Sequence, residues 1–187
     1  MNSWVFESER LGARRWDAND AAAAFAIYSD PRVTRYIGDG SPRATLEAQR
    51  ESLARTIARC EALGGTMGAF ALVEKATGAL LGMVALQPLP GSPELEVGWH
   101  LAHAAWGKGY ATEAGRAALA YAREALGATR VLAVVQPPNE ASLKVARRLG
   151  MAHEGRTDRF YGRSLELFSI ELAPGRTARE LGAPGSP

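Results

Sequence analysis

Two glycines flank a lysine in the segment Trp106-Gly107-Lys108-Gly109-Tyr110-Ala111. The segment lies between a run typical of a β-strand, Leu95–Leu101, and a run typical of a helix, Ala111–Leu126. Glycine permits positive φ and a close approach of the backbone to a ligand. The first N–H groups of a helix have no partner within it, and the helix dipole adds partial positive charge there. This junction therefore predicts a cradle for a phosphate or pyrophosphate group.

Three kinds of Gly-rich phosphate loop can be separated by their spacing. The P-loop requires Ser or Thr after its lysine, whereas here Gly109 follows Lys108. The dinucleotide-binding fingerprint requires a third glycine where this chain has Thr112. The acyl-CoA pyrophosphate loop of the GCN5-related N-acetyltransferases (GNATs) matches at Gly109 and Ala111, and departs where Trp106 replaces its usual Gln or Arg. Taken alone, the segment also fits a flexible entry into a helix.

A resemblance that spans nearly the whole chain narrows these alternatives. Short motifs occur in the order and spacing of the GNAT branch that contains the ribosomal-protein alanine N-acetyltransferases, whose members commonly carry a tryptophan where Trp106 stands. Besides the glycine loop, the motifs are Glu9-Arg10-Leu11, Tyr28 to Val33, Glu96 to Trp99, Pro138 to Ser142 and Leu149 to Met151. The sequence therefore resembles this branch of the superfamily.

The resemblance implies a fold and an activity. The fold is a mixed α/β domain over residues 1–173 with one splayed sheet flanked by helices, followed by a loose tail over 174–187. The activity is transfer of an acetyl group from acetyl-CoA to a primary amine, on a protein N-terminus or a small molecule, by direct attack in a ternary complex. A non-catalytic acyl-CoA-binding module of the same fold is the alternative. A nucleotide-binding enzyme is disfavoured by the failed P-loop and dinucleotide spacings.

Periodicity and turn residues alone predict a mixed α/β domain with the element order β-α-α-β-β-β-α-β-α-β-β. The first strand is predicted over Leu11–Trp16, and the first helix is capped by Asp17 or Asn19. A second helix begins after Thr45, and Arg130–Val135 is predicted to be a buried strand.

The resemblance also assigns residues to the cofactor. Backbone N–H groups from Gly107 through Ala111, helped by the Thr112 hydroxyl, are expected on the CoA pyrophosphate. The Lys108 side chain is equally compatible with a charge contact and with solvent. Backbone groups of Trp99–Leu101 are expected to pair with the pantetheine arm as an added strand would. The full expected set is Trp99, His100, Leu101, Gly107, Lys108, Gly109, Tyr110, Ala111, Thr112, Asn139 and Ser142.

Glu96 is the candidate general base, because acyl transfer requires a group that takes the proton of the attacking amine. In the predicted strand it alternates with the apolar Leu95 and Val97. A carboxylate among apolar neighbours, near the acyl end of the cofactor, would have a raised pKa. It also matches the glutamate of the family's strand motif. The alternative is a solvated glutamate on a half-exposed strand.

The leaving thiolate must be protonated or stabilised. Many acetyltransferases use a tyrosine at the position that Ala146 occupies here, so that acid is excluded. Ser142, one turn into the helix that follows Asn139, is the candidate in its place; water, Tyr161 or no acid at all are the alternatives. Asn139 itself fits both a pantetheine contact and a helix cap.

The acceptor is expected to bind between the first helices and the last hairpin. Arg32, Tyr36 and Tyr161 are the candidate substrate-binding residues, together with Arg163, since an arginine there could bind a carboxylate. Each is also compatible with solvated surface, and the identity of the amine does not follow from the sequence.

Composition limits the remaining classes. The chain has 187 residues, 47% of them apolar, and a net charge of +2, which favours one globular domain and argues against nucleic-acid or membrane partners. The single cysteine, Cys60, precludes an internal disulfide and is expected to be an inert thiol. His100, His103 and His153 lack metal-ligand spacing, so no metal is expected. The expected location is the cytoplasm, and the expected state is a monomer or homodimer.

Overall fold

The computed structural model describes residues 4–173. The predicted tail, residues 174–187, lies outside this range. The strands are β1 Phe6–Glu7, β2 Leu11–Arg14, β3 Gly68–Glu74, β4 Leu80–Pro88, β5 Leu95–Leu101, β6 Arg130–Val135, β7 Ala152–Thr157 and β8 Leu165–Glu171. The helices are α1 Ala21–Tyr28, α2 Pro31–Thr34, α3 Leu46–Ala62, α4 Tyr110–Leu126 and α5 Glu140–Arg148.

The strands form one sheet in the order β1-β2-β3-β4-β5-β6-β8-β7. All neighbours are antiparallel except β5 and β6, which are parallel. The β5–β6 ladder contains only the pairs Leu95↔Val131 and Glu96↔Leu132. From Val97 onward the two strands separate, so the sheet opens between them. This opening is the splay that the resemblance predicts.

Helices cover both faces of the sheet. On one face, Phe70 and Val84 pack with small residues of α4 such as Ala118, and with Leu143 of α5. On the other face, Ala71 packs with residues of α1 and α3, among them Leu53. The apolar residues therefore alternate between two cores, as expected for a sheet buried on both sides.

The predicted elements are present with small shifts, and two short ones are added. Thr45 caps α3, its hydroxyl oxygen accepting from the Ala48 N–H at 3.1 Å. Asp17 caps a 3-10 turn that leads into α1, and β2 ends at Arg14 rather than Trp16. Strand β1 and helix α2 are additional, and both are too short to produce a detectable hydrophobic period.

Candidate active site

A cleft of about 1220 Å³ occupies the opening between β5 and β6. The glycine loop before α4 and the first turns of α5 bound one half of it, which we call the donor half. Residues 35–38 after α2 and the turn between β7 and β8 bound the other, which we call the acceptor half. Glu96 lies on its floor, where β5 leaves β6. Most of the residues selected from the sequence therefore meet in one cavity.

The glycine loop has the backbone conformation that an anion cradle requires. Gly107 and Gly109 have φ angles of +76° and +81°. Gly109 is the N-cap of α4 and no side chain caps the helix, which leaves its first N–H groups free of side-chain partners. A Cβ at Gly107 would meet no atom within 4 Å, and one at Gly109 would meet only Arg10 Nη2, at 3.7 Å. Conformation rather than crowding therefore requires glycine here.

The loop is held from outside the cleft by side chains that motif spacing does not reveal. Arg10 donates from Nη2 to the Lys108 carbonyl at 3.2 Å and from Nε to Glu113 at 2.7 Å. The Tyr110 hydroxyl donates to Glu74 at 2.5 Å, and the Arg10 guanidinium lies over the Tyr110 ring. Lys108 is not among the residues that line the cleft.

The open edge of β5 supplies free backbone groups. The Ala102 N–H donates to the Leu81 carbonyl. Because the backbone groups of successive residues in a strand point to opposite sides, those of His100 point towards β4 and those of Trp99 point towards the cleft. The carbonyl of Leu101 is already occupied, because it accepts from Trp106 Nε1 at 2.9 Å. His100 thus presents its side chain rather than its backbone. Burial lowers the pKa of His100 to about 4, so the imidazole is neutral at neutral pH.

Glu96 is a buried carboxylate, only 9% exposed. Oε2 accepts a hydrogen bond from the Tyr161 hydroxyl at 2.5 Å. Burial raises the pKa of Glu96 above its ordinary value, and hydrogen bonds from Tyr161 and Gln87 oppose part of that rise. A buried carboxyl with a raised pKa in a cleft is a candidate for a functional group.

Tyr161 reaches Glu96 from the β7–β8 turn, 65 residues away in the chain. Its φ of +59° makes it the one non-glycine residue with positive φ among residues 4–173. Burial, followed by the charge of Glu96, raises the pKa of the phenol. The hydroxyl therefore stays protonated and donates to Glu96, and this strained backbone conformation is one that functional sites often retain.

On α5 the two sequence-selected residues have different environments. Asn139 caps the helix, its Oδ1 accepting from the Ser142 N–H at 3.2 Å. Ser142 is half-buried and lines the cleft, whereas Ala146 is fully buried in the core. Ser142 thus places a hydroxyl of α5 in the lining of the cleft.

The predicted substrate-binding residues lie in the acceptor half and differ in the contacts that they make with the rest of the protein. Arg32 is paired with Asp30, with an Nη2–Oδ2 distance of 2.6 Å. Tyr36 lines the cleft, and its carbonyl accepts from Gln136 Nε2 at 3.1 Å, which fixes this loop to the end of β6. Arg163 also lines the cleft.

Other reactive groups lie elsewhere or do not cluster. Cys60 is buried in the core, and burial raises its pKa. Within the described part of the chain, no three His, Cys, Asp or Glu side chains are grouped so as to hold a metal ion. Over the same residues, no helix has both the length and the apolarity needed to cross a membrane.

The chain is similar to known proteins over most of its length. Residues 10–152 match the family model of the acetyltransferase (GNAT) domain. The chain is 27% identical over 169 residues to the uncharacterized N-acetyltransferase p20 of Bacillus licheniformis, which covers 88% of this chain and 93% of p20. A GNAT-family acetyltransferase from Bacillus anthracis superposes with a TM-score of 0.75 at 26% identity, covering 89% and 97% of the two chains.

A ribosomal-protein acetyltransferase is also among the structural neighbours. RimL, a ribosomal L7/L12 α-N-protein acetyltransferase solved in complex with coenzyme A, has a TM-score of 0.74 at 16% identity, covering 88% of this chain and 96% of RimL. Identity at this level shows a shared fold. The fold predicted from the sequence is confirmed.

Proposed function

The chain belongs to the GNAT acetyltransferase family, and from this premise we propose that it transfers the acetyl group of acetyl-CoA to a primary amine within a ternary complex. Acetyl transfer is the chemistry of the family. The acceptor, the ternary mechanism and the roles of individual residues are our proposal. The observation that carries it is a buried carboxylate, Glu96, at the point where the sheet opens beside an uncapped helix N-terminus.

The donor half fits a long anionic thioester. The loop from Gly107 to Ala111 offers N–H groups to the pyrophosphate, and the exposed backbone of Trp99 offers a strand-like partner to the pantetheine arm. Beyond the loop lies a smaller cavity of about 550 Å³ whose lining includes Arg10, Arg116 and Arg148. Arg10 is paired with Glu113, and Glu9 also lines this cavity, so Arg116 and Arg148 are the guanidinium groups that favour the phosphates of CoA over a neutral ligand.

The acceptor half supplies the base. The amine nitrogen gives a proton to the carboxylate of Glu96, which also accepts the Tyr161 hydrogen bond. The neutral nitrogen then attacks the thioester carbonyl carbon, and the carbon–sulfur bond breaks as the carbonyl re-forms. The nitrogen loses its second proton, which passes to the departing thiolate through the Ser142 hydroxyl or water, so that the products are the amide and the free thiol and Ser142 is again neutral.

Thiol release from acetyl-CoA, measured against a panel of primary amines and N-terminal peptides, tests the proposal. Release that depends on both acetyl-CoA and an amine supports it, and the acetylated product is verified by mass. CoA binding without transfer to any amine would favour a non-catalytic acyl-CoA-binding module instead.

The cradle is tested by Gly109→Ala. An alanine in the left-handed region of φ and ψ is strained by about 1–2 kcal/mol. The loop can relieve this strain by changing its conformation, and the cradle is then lost. We expect CoA affinity, measured by calorimetry, to fall by about tenfold or more.

The matched control is Gly127→Ala at the other end of the same helix. Gly127 has a φ of +67° and open space around its Cβ position, so it carries the same conformational cost away from the cleft. Both variants should lose similar stability, and only Gly109→Ala should lose affinity. Equal CoA affinities would rule out the cradle.

The Tyr161 contact is tested by Tyr161→Phe. The hydrogen bond favours the ionised form of Glu96, so its loss raises the pKa of that carboxyl. The base must be ionised to act, so the acid limb of kcat/KM should move to higher pH. A hydrogen bond to a charged group contributes about 1.5–3 kcal/mol, which corresponds to about one pH unit or more.

Tyr36→Phe removes a hydroxyl from a tyrosine of the same cleft and serves as the control. Its profile should keep the wild-type acid limb. An unshifted limb in Tyr161→Phe would show that the hydroxyl does not tune the base.

A further inference from the structure

The cleft is unevenly charged. In the donor half, α5 contributes Glu140, Lys144 and Arg148 to its lining. In the acceptor half the charged lining residues are Arg32, Arg35, Arg163 and Glu96. The acceptor half thus combines three guanidinium groups with one carboxylate, an unexpected environment for a cationic substrate.

Two of these three guanidinium groups are not neutralised by the protein. Arg32 is paired with Asp30. Within residues 4–173, Arg35 and Arg163 form no salt bridge within 4.0 Å. The Arg35 guanidinium lies over the ring of Tyr36, 5.2 Å from its centroid, so the charge is placed without being cancelled.

The acidic neighbours do not change this balance. Asp39 lies close enough to Arg163 to feel its charge, but its carboxylate is turned to its own loop, where Oδ1 accepts from the Ser41 N–H at 2.9 Å. Glu96 is buried and engaged by Tyr161. Arg35 and Arg163 therefore remain without a salt bridge in the lining of the acceptor half.

Guanidinium groups pair with carboxylates and phosphates through parallel N–H donors. A polyamine or an aminoglycoside would instead bring additional ammonium groups against Arg35 and Arg163, where like charges disfavour binding. In the lining of the acceptor half, Glu96 is the carboxylate that the reacting amine can approach.

On the basis of the proposed acetyl transfer, we infer that the acceptor is a primary amine that also carries an acidic group, held by Arg35 and Arg163. The amine faces Glu96 and the acidic group faces the two arginines. This arrangement excludes polycationic amines as preferred substrates and gives Arg35 and Arg163 a role in selecting the acceptor.

The test uses acceptor pairs that differ only in the acidic group. Suitable pairs are β-alanine with β-alaninamide, γ-aminobutyrate with its amide, the C-terminal amides of the dipeptides Ala-Glu and Ala-Gln, and aminoethyl phosphate with ethanolamine; spermidine is added as a polycation. The ratio of kcat/KM within each pair is compared in the wild type, Arg35→Gln and Arg163→Gln. The peptide and phosphate pairs identify the source of the acidic group.

In the wild type at least one acidic partner should exceed its neutral counterpart by about tenfold or more, as expected for charge-assisted hydrogen bonds. In Arg35→Gln and Arg163→Gln this ratio should approach one, mainly through a higher KM for the acidic partner. Arg159→Gln, on the same turn as Arg163 but outside the cleft lining, should keep the wild-type ratio.

Other outcomes separate this inference from the proposed function. Acetylation of amides or spermidine as readily as of the acids would overturn the acidic acceptor while leaving acetyl transfer intact. A preserved ratio in both arginine variants would overturn the role of Arg35 and Arg163. CoA binding with no acceptor in any pair would count against the proposed function itself.

Discussion

Glu96→Gln is expected to lower kcat for amine acetylation by about 10²- to 10⁴-fold, the usual contribution of a general base. Glutamine keeps the size of the side chain and an oxygen that can accept the Tyr161 hydrogen bond, but it cannot take a proton from the amine. Because Glu96 lies apart from the glycine loop, CoA affinity should remain within about twofold of the wild-type value. Steady-state rates and calorimetry on the same preparation measure both quantities.

Measuring the stability of Glu96→Gln distinguishes loss of the base from loss of folded protein as the cause of a lower kcat. The pKa of Glu96 is raised by burial in the folded protein, so its contribution to stability is present at low pH and is lost as pH rises through that raised pKa. At alkaline pH, Glu96→Gln should therefore be at least as stable as the wild type.

Glu94→Gln, the same change just before β5 and outside the cleft, should retain turnover. Normal turnover in Glu96→Gln would remove Glu96 as the base without affecting the fold.

Gly82→Ala is expected to cost about 3 kcal/mol or more of folding free energy, the range of severe core changes. Gly82 lies in β4 opposite Leu101 and has a φ of +145°. A Cβ there would lie 2.0 Å from the His100 carbonyl oxygen and 2.9 Å from the Leu101 Cα. Both contacts are with the backbone of β5, which cannot rotate away, so the strand that forms the cleft wall must shift.

Thermal unfolding measures this cost. For a chain of this length, about 3 kcal/mol corresponds to a fall in Tm of about 6–12 °C. Gly98→Ala is the matched control for stability, because Gly98 lies in β5 and its Cβ would make an ordinary 3.7 Å contact with Ala85. A Tm for Gly82→Ala equal to that of Gly98→Ala would contradict the expected clash.

Local chemistry made part of the site predictable from sequence. The positive φ of Gly109 and the start of α3 after Thr45 follow from preferences of single residues, and both were expected. The sequence left Glu96 open between an apolar pocket and a half-exposed strand, and its burial follows from how the sheet and the β7–β8 turn enclose it.

Long-range contacts were not predictable in the same way. The Tyr161–Glu96 hydrogen bond joins residues far apart in the chain and needs a tyrosine in the left-handed region, which its residue type disfavours. The bonds from Arg10 to Glu113 and to the loop depend on how α4 lies across the sheet. The splay between β5 and β6 was expected only from the family resemblance, because periodicity does not specify where two strands separate.

The short β5–β6 ladder gives this protein a strand edge in the interior of its sheet rather than at the margin. Exposed edges at the margin invite pairing with other proteins and aggregation. The edge at Val97 and Trp99 is enclosed by β6 and by the helix that follows it, so a strand at the edge of another protein's sheet cannot lie flat along it. The unpaired backbone N–H and C=O groups of this edge can therefore pair with an extended ligand that enters the cleft. They do not offer an edge for sheet-to-sheet association with other proteins at this position.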